Sequence, residues 1–93
     1  MNLNSVYTLA AGIQVRNEVF GLLFYDYRGP RLYFVPTQDL IPGSFFKGKQ
    51  PVAELLNRLC RRTSWRREQI QGHVADVLAK LEGKGLVRGQ SIC

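Results

Sequence analysis

Residues capable of catalysis are scarce in this sequence. His73 is the only histidine, and the two cysteines, Cys60 and Cys93, have no further ligand at metal-binding spacing. No phosphate loop, dinucleotide fingerprint or nucleophile elbow is present, and the carboxylates are scattered. His73 lies at the shoulder of an apolar helical face, the usual place for a partly buried structural histidine. Cys60 falls on an apolar stripe and reads as a buried free thiol. These residue types exclude the common enzyme chemistries, require no cofactor and point to a binding module.

The chemistry that remains is recognition of an anion or of a backbone. Formal net charge is +6, and its excess sits in residues 47–67: Lys47, Lys49, Arg58, Arg61, Arg62, Arg66 and Arg67 stand against Glu54 alone. A field concentrated in that way attracts acidic partners. A second kind of chemistry lies in Phe20–Pro36, where the aromatic-rich runs Phe20–Tyr25 and Arg31–Pro36 flank the break Asp26-Tyr27-Arg28-Gly29-Pro30. Such runs suit strands, and the break suits a hairpin loop.

The elements that must carry these residues follow from spacing. Ile13 and Val15 alternate with Gln14, Arg16 and Glu18, which predicts a one-sided strand ahead of the hairpin. Three strands in succession make an antiparallel meander with Phe20–Tyr25 at its centre. Its first edge carries charge, whereas Leu32-Tyr33-Phe34-Val35 is uncharged between Arg31 and Pro36 and invites another strand to join it. Asp39-Leu40-Ile41 starts a short helix that Pro42-Gly43 should interrupt, and Ser44-Phe45-Phe46 supplies core contacts. Pro51 then opens a helix bearing Val52, Leu55, Leu56, Leu59 and Cys60. Thr63-Ser64-Trp65 is the turn, and a last helix runs from about Arg66 to Glu82, with Gly83 and Gly85 ending it. Its outer face carries the small residues Gly72, Ala75, Ala79 and Gly83.

Ninety-three residues suit a single domain spanning 1–93, one able to bury roughly 60% of its unfolded surface. The expected fold is α+β: a winged helix-turn-helix with an N-terminal three-stranded antiparallel sheet followed by three helices, the first short or irregular. No basic n-region and no membrane-length apolar run is visible, so a cytoplasmic setting is expected.

The segments Val15–Tyr25 and Pro30–Val35 resemble the small peptide chaperone of mycofactocin biosynthesis. Val74–Val87 resembles the last helix of the wider peptide-recognition family, which includes the pyrroloquinoline-quinone peptide chaperone. Together the matches cover about half of the chain, and Thr37–Phe46 departs from the family pattern. The resemblance implies a domain that binds the leader of a ribosomally made precursor peptide and presents it to a radical S-adenosylmethionine maturase. It implies that the leader adds as a strand beside the third strand, in a cleft against the last helix. The positions expected to bind are Arg31, Leu32, Tyr33, Phe34 and Val35 on the strand, with Arg66, Ile70, His73, Val77 and Lys80 on the helix. Arg67, Gln71, Val74 and Leu78 form a competing shoulder, and the sequence leaves the choice between the two open. The alternative class is a winged-helix DNA-binding protein, supported by the charge and the helix–turn–helix. Against nucleic acid stands an outer helix face of Gly72, Ala75, Asp76 and Ala79, poor in side chains that read base edges.

Overall fold

The computed structural model describes residues 3–29, 31–37 and 40–91. Five strands and two α-helices follow in the order β1 (Ser5–Leu9), β2 (Ile13–Glu18), β3 (Gly21–Asp26), β4 (Arg31–Val35), α1 (Val52–Arg62), α2 (Arg67–Gly83) and β5 (Val87–Ser91). A short 3-10 turn, Gly43–Phe46, precedes α1. The strands form two separate antiparallel sheets: β2-β3-β4 in that order, and β1 paired with β5.

The α+β class holds, but the expected winged helix-turn-helix with three helices does not. Only two α-helices form among the described residues, and the sheet is not simply N-terminal, because β5 returns after α2 to pair with β1 from Ser5↔Ser91 to Leu9↔Val87. Two physical causes account for the difference. Pro42 cannot continue a helix begun before it, and the chain restarts after it only as the single 3-10 turn Gly43–Phe46. Asp39, placed at the start of that first helix, lies outside the described residues. β5 (Val-Arg-Gly-Gln-Ser) has no alternating apolar pattern and exists because β1 supplies a partner. Gly89 within it lies under the Tyr7 ring, where a Cβ would come within 2.9 Å of a ring carbon.

The meander forms as its pattern requires, with one shift: Phe20 belongs to the Val19–Phe20 hairpin turn, not to the strand, and is 71% exposed. Leu22 and Phe24 point from β3 into the core, whereas Leu23 and Tyr25 on the opposite face are half-buried. Phe46 meets Phe24 edge-on at 5.8 Å between ring centres, and Phe45 stacks on Tyr7 at 6.0 Å. The 3-10 turn thus supplies an aromatic plug between the two sheets. Val52, Leu55, Leu56 and Leu59 of α1 and Ile70, Val74, Leu78 and Leu81 of α2 complete the core. Burying each such side chain contributes about 1.5–3 kcal/mol. Cys60 is only partly buried beside them, a free thiol as expected.

The end of α2 fixes where the chain turns back. Gly85 takes φ +72°, its N–H bonds to Glu82 O at 2.9 Å, and Leu86 N–H bonds to Leu81 O at 3.0 Å. That pair of bonds is a Schellman cap, closed by Leu86 and Leu81, both fully buried. Among the described residues no helix is long and apolar enough to cross a membrane.

Candidate functional site

β4 is an edge strand, since β3 lies on one side of it and no described strand lies on the other. Which of its groups face outward follows from the hairpin before it. Glu18 and Gly21 close a two-residue turn and are a hydrogen-bonded pair, so bonding pairs alternate from there along β3. Gly21, Leu23 and Tyr25 face β2, whereas Leu22, Phe24 and Asp26 face β4. Their partners Val35, Tyr33 and Arg31 therefore bond inward. Leu32 and Phe34 are left with their N–H and C=O groups pointing away from the sheet. The close approach at Gly21 agrees, because a Cβ there would collide with the Val35 carbonyl oxygen.

Beside this edge runs α2. Phe34, Val35 and Pro36 form one wall of a groove of about 470 Å³, and His73, Asp76, Val77, Lys80 and Lys84 form the other. The helix shoulder facing β4 is thus the one carrying His73, Val77 and Lys80. Val74 and Leu78 of the competing shoulder are buried in the core. Helix and strand run in opposite directions: Lys84 at the end of α2 lies over the Tyr33 ring, 5.3 Å from its centre, and His73 lies nearer the start.

The remaining positions singled out from sequence divide. Ile70 is fully buried in the core and does not line the groove. Arg66 is exposed just before α2, where its backbone N–H donates to Gln69 Oε1 at 3.2 Å. Leu32 opens onto the other face of the sheet, in a shallow depression with Tyr25, Asp26, Tyr27 and Arg31. Sequence reasoning missed Asp76 and Lys84. Asp76, Lys80 and Lys84 continue one row at a spacing of four, but from spacing alone Asp76 falls on the outer face and the helix ends before Lys84.

One end of the groove is pinned electrostatically. Arg28 donates through Nε to Asp26 Oδ1 at 3.0 Å and through Nη2 to Gly85 O at 3.3 Å, tying the β3–β4 loop to the end of α2. The hydrogen bond from Arg28 is the largest cause holding the Asp26 carboxyl below its ordinary range. At the other end the His73 ring meets Trp65 edge-on at 6.4 Å, and His73 Nε2 is buried with no hydrogen-bond partner. No group of His, Cys, Asp and Glu able to hold a metal occurs among the described residues.

Comparison of the chain with protein-family models, with curated proteins and with solved structures gives no match.

Proposed function

We propose that this chain is a non-catalytic peptide chaperone, binding the leader of a ribosomally synthesised precursor peptide by strand addition to β4. The observation that carries this reading is the pairing of an open edge, with outward N–H and C=O groups on Leu32 and Phe34, with a helix wall of His73, Val77 and Lys80 across a groove. Backbone bonds along the edge supply generic affinity, and the groove supplies selection of side chains. Val77 and Val35 offer it an apolar floor, both less than 10% exposed, and Lys80 and Lys84 offer cations. The resemblance of Val15–Tyr25 and Pro30–Val35 to the mycofactocin peptide chaperone supports the same reading and names a radical S-adenosylmethionine maturase as the enzyme served. Such chemistry belongs in the cytoplasm.

Trp65 is the sole tryptophan and touches His73, so its emission reports on the groove. Titration with the short peptide encoded beside such a maturase should give a saturable change at one peptide per chain. Absence of binding, with duplex DNA bound more tightly at physiological salt, would overturn the proposal.

A further inference from the structure

His73, which lines the groove, also meets a side chain outside it. That side chain is Trp65, 44% exposed, within the connection from α1 to α2. Arg62, the last residue of α1, borders a depression with Asn17, Gly21, Thr37, Ile41 and Pro42, next to the point where the chain leaves β4. The Pro36 end of the edge therefore leads onto a turn that reads Arg61-Arg62-Thr63-Ser64-Trp65-Arg66-Arg67. All four of these arginines are exposed, and Arg61, Arg62 and Arg66 have no ion pair among the described residues. At the opposite end Arg28 is satisfied by Asp26, and two cations, Arg31 and Lys84, stand there against the four arginines of the turn.

We infer, resting on the strand-addition reading, that the partner peptide is asymmetric in charge: an acidic segment lies on the Arg61–Arg67 turn and an apolar segment pairs with β4. Antiparallel addition continues the pattern of the sheet and gives the slightly stronger ladder. It places the start of the added strand at Pro36 and its end at Arg31. The acidic residues therefore precede the pairing segment in the peptide. Lys80 and Lys84 accept single carboxylates within the pairing segment, but the run of acids belongs to the turn. The Trp65–His73 contact makes the two surfaces continuous, so occupancy of one favours the other.

Three synthetic peptides test this order. One carries a run of glutamates before an alternating Val-Thr strand, the second carries the same run after it, and the third replaces the glutamates with serine. At about 0.05 M salt the acid-first peptide should bind roughly fivefold to tenfold more tightly than the acid-last one, an advantage lost at ~0.5 M salt as screening shortens. Arg61→Gln with Arg62→Gln should erase most of the preference while leaving the serine peptide's affinity and the thermal melt unchanged. Equal affinity for the two acidic peptides, or preference for the acid-last one, overturns the inference but leaves strand addition standing if the serine peptide binds. Failure of all three peptides to bind removes both.

Discussion

The two edges of the β2-β3-β4 sheet are built to opposite ends. Along β2, Arg16 and Glu18 pair across the surface, with Arg16 Nε donating to Glu18 Oε1 at 2.8 Å. Asn17 Oδ1 accepts from Gly43 N–H at 2.8 Å, which holds the 3-10 turn alongside that edge. Charge and a tethered segment thus blunt β2, two devices by which sheet proteins avoid unwanted pairing. Along β4 neither device is present in Leu32–Val35, Leu32 and Phe34 are 63% and 52% exposed, and α2 stands off behind a groove. The sheet thus protects one edge and leaves the other bare beside a helix wall, so a free hydrogen-bonding edge is offered on one side only.

The sharpest way to break that contrast is proline, because the two faces of β4 differ residue by residue. Tyr33→Pro removes a donor bonded to β3 and should cost about 2–3 kcal/mol in a denaturant titration. Phe34→Pro removes an outward donor, so the fold should hold within about 1 kcal/mol while peptide affinity falls about tenfold. Equal effects of the two would mean that the register assigned to β4 is wrong.

That register was only half legible in the sequence. The alternation of Ile13 and Val15 and the aromatic runs around Arg28-Gly29 mark three strands and an uncharged third edge, and the stretch from about Arg66 to Glu82 with its glycine stop marks α2. Which β4 residues face outward depends on the two-residue turn at Val19–Phe20, and by residue type the bulky Phe20 belongs to the strand instead. The second sheet was invisible because β1 and β5 are short and stabilise each other across the length of the chain, with Gly89 present for the Tyr7 ring and not for any strand preference. Side-chain spacing also cannot tell two shoulders of one helix apart. Val74 and Leu78 are buried against the core, and that contact alone turns His73, Val77 and Lys80 towards β4.

A gentler test removes the protection of β2. Asn17→Ala deletes the bond to Gly43 N–H and should cost about 1 kcal/mol. It should also raise amide exchange at 43–46 without changing peptide affinity, as measured by exchange and by Trp65 titration. A large loss of peptide binding in this variant would move the site to the β2 side.

The smallest effect expected is that of pH on the pinned end of the groove. Asp26 is held below its unfolded carboxylate range by Arg28, so its contribution is present above that range and is lost as pH falls through the depressed folded value. Melts recorded from about pH 6 down to pH 2 should show Asp26→Asn losing less stability on acidification than the wild type, mostly below about pH 4.

Backbone amide exchange of the protein with and without its peptide tests the central claim most directly. The amides of Leu32 and Phe34 should gain protection on binding, more than those of Tyr33 and Val35, which are already bonded to β3, and far more than those of 13–18. Protection concentrated on β2, or confined to α2 with Leu32 and Phe34 exchanging as before, would contradict strand addition however tightly the peptide bound.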